Sequence, residues 1–167
     1  ALQGSAHDLE LDGVNNRLAV VQDVLKRFDL IQLVRPKNAS TPVQAPELLA
    51  TIETDRTPFF AKMDPYHDRL YVFVVDGETG DSEVLVYSTT SVEPALISSF
   101  PVPTSAAWDI DTVRQLLFIY DSEDGGVRVF DLFGDQAKEL EGSPIPFNEW
   151  FPETNTWSFS VRNLRVD

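Results

Sequence analysis

Apolar residues in this chain fall into short runs rich in Val, Ile, Phe and Tyr, bounded by Asp, Gly, Pro or Asn. Runs of that kind, closed by turn formers, predict strands and hairpins. Three segments share one grammar: HDLELDGVNNRLAVVQD from His7 to Asp23, FFAKMDPYHDRLYVFVVD from Phe59 to Asp76, and AAWDIDTVRQLLFIYD from Ala106 to Asp121. In each, an apolar residue precedes an Asp (Leu11-Asp12, Met63-Asp64, Ile110-Asp111), and a Leu stands six positions after it: Leu18, Leu70, Leu117. Each segment then runs through a β-rich stretch into a second Asp: Asp23, Asp76, Asp121. The first Asp of each opens a tight turn between two strands, as Asp-Gly and Asp-Pro sequences do. Leu70–Val75 is apolar on both faces, as expected of a strand between stacked sheets.

The units continue alike. A further strand follows at Phe28–Leu33, Val84–Tyr87 and Val127–Leu132, and a shorter one at Leu48–Ile52, Leu96–Phe100 and Lys138–Leu140. Asp12, Asp64 and Asp111 lie 52 and then 47 residues apart, and SFSVRNLRVD puts Asp167 in the same role 56 residues later. A period near fifty with four short strands per unit is the mark of a β-propeller blade. The expected fold is all-β: about three four-stranded antiparallel blades, near residues 1–57, 58–102 and 103–146, with a strand of a next blade within 147–167. The uneven spacing comes from loops, Arg35–Pro46 and Glu141–Asn155, of the kind that insertions place on surfaces. One segment competes with this reading. Residues 17–34 hold no Gly or Pro, and Leu18, Val21, Leu25 and Phe28 recur at helical spacing. The repeat favours two strands there.

The repeat changes what the length means. Three blades do not close a ring, since propellers have roughly four to eight. The chain is therefore expected to be part of a larger ring, completed by further blades of its own, a second copy or a protein partner. Both ends of the sequence read as a first strand, which favours a segment of a longer ring.

Charge narrows the partners. The 167 residues carry 13 Lys or Arg against 27 Asp or Glu, a net charge of −14. That balance argues against a nucleic-acid backbone as ligand, which needs a basic footprint. No apolar run approaches the ~20 residues of a membrane-spanning helix. With 0 Cys there are no disulfides and no thiolate metal sites. Absence of Cys fits an extracytoplasmic protein, periplasmic or secreted. Asn38-Ala39-Ser40 is a lone sequon, read as a chance occurrence.

Pro101–Gly134, PVPTSAAWDIDTVRQLLFIYDSEDGGVRVFDLFG, resembles the repeat of YVTN-type and lactonase-like propellers, and Arg69–Ser91 fits the same pattern. GGVRVFDL is also similar to the third strand of a WD40 blade, with Phe130 where that family has Trp. The His and Trp-Asp signature pairs of WD40 repeats are missing, which favours the first family. The resemblance implies a fold. It carries over no catalytic residue, and fold alone implies no function.

Candidate chemistry is sparse. His7 and His67 read as surface or turn residues. Ser5-Ala6-His7-Asp8 is no triad, because neighbouring strand side chains point to opposite faces. Asp12, Asp64 and Asp111 read as turn formers rather than as ligands around a central channel. Two acidic hairpins, Asp76 with Glu78 and Asp81, and Asp121 with Glu123 and Asp124, are candidate Ca²⁺ ligands, though neither has the full calcium-loop spacing. Apart from that ion, no cofactor is expected. Phe147, Trp150, Phe151 and Trp157 form an aromatic segment suited to a partner protein or a glycan, or to packing on the neighbouring blade. The expected function is a non-catalytic scaffold that binds a protein or builds an assembly. A lactonase-like hydrolase, its site completed by further blades, and an extracellular glycan binder are the alternatives.

Overall fold

The computed structural model describes residues 6–33, 45–105, 107–134 and 136–146. Among these there is no helix, and the strands form three antiparallel sheets. The first holds β1 (Asp8–Asp12), β2 (Arg17–Gln22), β3 (Arg27–Gln32) and β4 (Glu47–Glu53), paired in that order. The second holds β5 (Thr57–Asp64), β6 (Arg69–Val75), β7 (Ser82–Ser88) and β8 (Ala95–Val102), also in chain order. The third runs β9 (Trp108–Asp111), β10 (Leu116–Asp121), β11 (Gly126–Asp131), β12 (Lys138–Glu139), with β13 (Ile145–Pro146) also paired to β11. Each is the up-and-down meander expected of a propeller blade. The extra strand seen is β13. The strand expected within 147–167 lies outside the described residues.

Residues 17–32 settle the competition between helix and strands. They form β2 and β3, joined by the turn Asp23–Lys26. The apparent helical spacing counted Leu25, which lies in that turn and is exposed. The strands win because Ala19, Val21, Phe28 and Leu30 all reach one face and are buried there. In a helix Ala19 and Val21 would point to nearly opposite sides.

The chain divides by contact into two units, Ala1–Gly80 with Val84–Ser98, and Asp81–Glu83 with Ser99–Asp167. In the first unit, Ala19, Val21, Phe28 and Leu30 of the first sheet share one core with Ala61, Met63, Leu70, Val72, Val74 and Tyr87 of the second. The rings of Phe28 and Tyr87 meet edge to face at 5.1 Å, a favoured geometry for aromatic pairs. Leu70–Val74 is buried along its whole length, so the doubly apolar strand is covered on both faces. In the second unit, Leu117, Ile119, Val129, Phe130 and Leu132 are buried, and the rings of Phe100 and Phe130 lie 5.8 Å apart.

Two adjacent glycines in the third sheet have different duties. Gly125 adopts φ 65° with open space around its missing Cβ. A Cβ on Gly126 would stand 2.8 Å from the Ile145 carbonyl oxygen, because β13 crosses there. Gly125→Ala is therefore expected to cost about 1 kcal/mol, the conformational penalty alone. Gly126→Ala is expected to cost more and to detach β13. Urea unfolding, with hydrogen exchange at Val127 and Ile145, separates the two effects. In the first unit, Phe28→Ala should cost about 3–5 kcal/mol by the same unfolding measurement.

Candidate functional site

The recurring aspartates decide which carboxylates remain free for chemistry. Asp12 Oδ1 accepts the N–H groups of Val14 and Asn15, both at 2.9 Å. Asp64 Oδ1 accepts those of Tyr66 at 3.0 Å and His67 at 3.2 Å. Asp111 Oδ1 accepts those of Val113 at 3.0 Å and Arg114 at 2.9 Å. In each turn the second oxygen, Oδ2, meets the side chain three residues on: Asn15 Nδ2 at 2.9 Å, His67 Nδ1 at 2.7 Å and an Arg114 guanidinium nitrogen at 2.7 Å. The next residue is left-handed in every case, with φ 54° at Asn16, 51° at Asp68 and 55° at Gln115. Its carbonyl then accepts the N–H at the end of the third strand: Leu33 at 2.7 Å, Thr89 at 2.8 Å and Leu132 at 2.8 Å. All three carboxylates are thus committed to their turns.

The second set of turns is less uniform. Asp121 pairs with Gly126 and Gln22 pairs with Arg27 in the corresponding positions. Gln22, not Asp23, is therefore the counterpart of Asp121. Asp29 likewise stands where Arg128 does. In the first sheet Gln22 Nε2 donates to Asp29 Oδ2 at 2.6 Å. In the third, Arg128 Nε donates to Asp121 Oδ2 at 2.7 Å.

Arg128 also accounts for one acidic hairpin. Its guanidinium reaches Asp124 Oδ2 at 2.6 Å and the two Glu139 oxygens at 3.1 and 3.2 Å. The first oxygen of Asp121 accepts the N–H groups of Glu123 and Asp124. A guanidinium thus occupies the centre on which these carboxylates converge. In the other hairpin, Asp76 Oδ1 accepts the N–H groups of Glu78 at 2.8 Å and Thr79 at 3.2 Å, and Oδ2 lies 3.8 Å from Arg56 Nε. Asp81 lies just before β7. Among the described residues, no three His, Asp or Glu side chains gather in a way that would hold a metal ion.

The histidines and the first strand are also accounted for. His67 belongs to the Asp64 turn. His7 Nδ1 lies 3.3 Å from Asp23 Oδ2, and its ring stands against Phe59 and Phe60 at 5.2 and 5.6 Å. Asp8 Oδ2 accepts the Ala61 N–H at 2.9 Å, and Glu10 Oε1 accepts that of Met63 at 3.4 Å. These side chains of β1 satisfy the outer edge of β5, which has no strand on that side among the described residues. That use of Asp8 and Glu10 was not foreseen, although the alternation in DLELD marks a strand with one acidic and one apolar side.

The apolar side of β1 is the open one. Leu9 and Leu11 are 58% and 57% exposed. Cross-strand register places Leu11, Leu18, Ile31 and Leu48 in one row across all four strands of the first sheet. The row is half-exposed at both ends, since Leu48 is 56% exposed, and it lies on the face opposite the shared core. Aliphatic rows of this kind are how sheets present a packing surface. Phe147, Trp150, Phe151 and Trp157, the aromatic candidates, lie outside the described residues.

No family model matches the chain, and no curated protein matches it in sequence. Solved structures do match it in shape. The WD40 domain of coronin from Toxoplasma gondii is similar at TM-score 0.61 and 9% identity, over 83% of this chain and 35% of that one. Sqt1 from Chaetomium thermophilum, bound to the N-terminus of a ribosomal protein, matches at TM-score 0.61 and 17% identity, over 80% and 34%. A 6-phosphogluconolactonase candidate from Bacteroides fragilis matches at 0.62 and 8%, over 80% and 37%. The three sheets are propeller blades. The chain spans little more than a third of each of these structures. Identities this low show the fold alone.

The turn carboxylates make the fold sensitive to acid. The Arg114 N–H and guanidinium hold the Asp111 carboxyl below the usual carboxylate range. Burial pushes the Asp121 carboxyl up, but Arg128 and the N–H groups of Asp124 and Glu123 outweigh it and hold it low. Both groups bind protons more weakly folded than unfolded. Their contribution is full above the unfolded value, about 4, and is lost as pH falls through the lowered folded values. Asp111→Asn and Asp121→Asn together should reduce stability at neutral pH, with the gap to the parent closing below about pH 4. Urea midpoints against pH read this directly; a gap that stays constant into acid would show that the pairs contribute no linkage.

Proposed function

We propose that this chain is a non-catalytic propeller segment whose first sheet is a protein-binding or assembly face within a larger propeller. One observation carries the reading. The Leu11–Leu18–Ile31–Leu48 row, with Leu9 beside it, is an apolar face exposed at both ends, on a sheet whose other face packs into the shared core. The recurring carboxylates do not compete with it, because Asp12, Asp64 and Asp111 are spent on turns. Such a row suits either a further blade or the apolar segment of a partner. The match to Sqt1, which holds the N-terminus of a ribosomal protein, supports a protein as the occupant. The net charge of −14 steers a basic partner toward it. The segment with Phe147, Trp150, Phe151 and Trp157 is proposed as a second contact, since aromatic side chains dominate interface energetics.

The test is a displayed-peptide selection against the chain, followed by calorimetry on the selected peptides. Basic peptides with apolar anchors are expected, with a negative heat-capacity change on binding. Leu11→Lys should weaken them about tenfold or more, as loss of an interface anchor does, and leave the unfolding midpoint almost unchanged. Equal affinity for the parent and the Leu11→Lys variant would overturn the assignment of this face.

A further inference from the structure

We propose that the outer edge of the second sheet is a self-association site, at which β8 strands of two copies of this chain pair antiparallel. β8 is last in its sheet, and no strand lies on its outer side among the described residues. In its Ala95–Ser98 half, Leu96 and Ile97 are 56% and 52% exposed. Successive strand residues point to opposite faces, so the edge is apolar on both sides. A free edge also offers a row of backbone donors and acceptors for another strand.

Charge selects the occupant. β4, the outer edge of the first sheet, begins at Glu47 and ends at Glu53, both exposed. Carboxylates at those positions repel an identical strand. β8 has no such guard. It lies in Pro94–Trp108, whose 15 residues form the longest uncharged run in a chain that is 24% charged. Two copies each carrying −14 repel one another over most of their surface. Along β8 they can meet without opposing carboxylates. A basic peptide, by contrast, finds no acidic side chain on this strand to pair with. Pro94 and Pro101 lack N–H groups and confine pairing to Ala95–Phe100. A two-fold pairing uses each copy's β8 edge once, so the association closes at a dimer. The short contact makes that dimer weak and concentration-dependent.

Sedimentation equilibrium of the full chain, from micromolar to millimolar, tests this at low and high salt. A monomer–dimer equilibrium that tightens with salt is expected, because screening relieves the repulsion between copies. Ile97→Lys should weaken dimerisation about tenfold or more, through loss of the apolar contact and the added like charges. Leu96→Lys should do the same and serves if the first variant fails to fold. Leu11→Lys should leave the dimer unchanged, which keeps this surface distinct from the face of the first sheet. The outward-facing amides within residues 95–100 should gain hydrogen-exchange protection with concentration. A monomer throughout, a dimer indifferent to both β8 variants, association weakened by salt, or an open series of larger species would each overturn the proposal.

Discussion

Each of the three sheets depends on one interaction made early in it: an aspartate Oδ1 accepting two backbone N–H groups in the turn that follows. That bond sets the length of the first hairpin. In all three, the Asp pairs with the residue five positions later: Asp12 with Arg17, Asp64 with Arg69 and Asp111 with Leu116. Register follows from that length. Because side chains alternate with period two, a slip of one residue would turn the buried set outward. In the first sheet it would turn Ala19, Val21, Phe28 and Leu30 away from the shared core and bring Val20, Gln22 and Asp29 toward it. The left-handed residue closing each turn extends the same control to the third strand, through its carbonyl. A short-range hydrogen bond therefore governs which side chains reach the core.

Much of the fold was legible because the chain repeats these devices in order. The spacing of Asp12, Asp64 and Asp111 gave the blade period, and the doubly apolar Leu70–Val75 marked a strand covered on both sides. The reading of those aspartates as turn formers also matches the geometry. What misled was matching by residue type across turns of unequal position. Asp23 resembles Asp121, but the pairing shows Gln22 in that place, with Asp23 one step into the loop. The helical spacing of residues 17–34 arose in the same way, by counting the turn residue Leu25 with the strand residues around it.

The candidate site was harder to see because it depends on cross-strand register. Leu11, Leu18, Ile31 and Leu48 are scattered in sequence and become neighbours only when four strands pair. The same holds for Arg128 among Asp121, Asp124 and Glu139. In the sequence Asp121, Glu123 and Asp124 suggest room for a cation, whereas in the sheet a guanidinium lies between Asp121, Asp124 and Glu139. Asp8 and Glu10 were invisible for another reason. Their bonds to Ala61 and Met63 end on backbone N–H groups of a neighbouring strand, which carry no residue-type signal.

The second oxygen of each turn aspartate has a further consequence. It receives an amide at Asn15, an imidazole at His67 and a guanidinium at Arg114, while the backbone around it keeps one shape. The position three residues after the aspartate is a socket with fixed walls and interchangeable contents. A neutral, a titratable and a permanently cationic group all fit it. New surface chemistry can thus be written at these turns one residue at a time, leaving the strands beneath undisturbed.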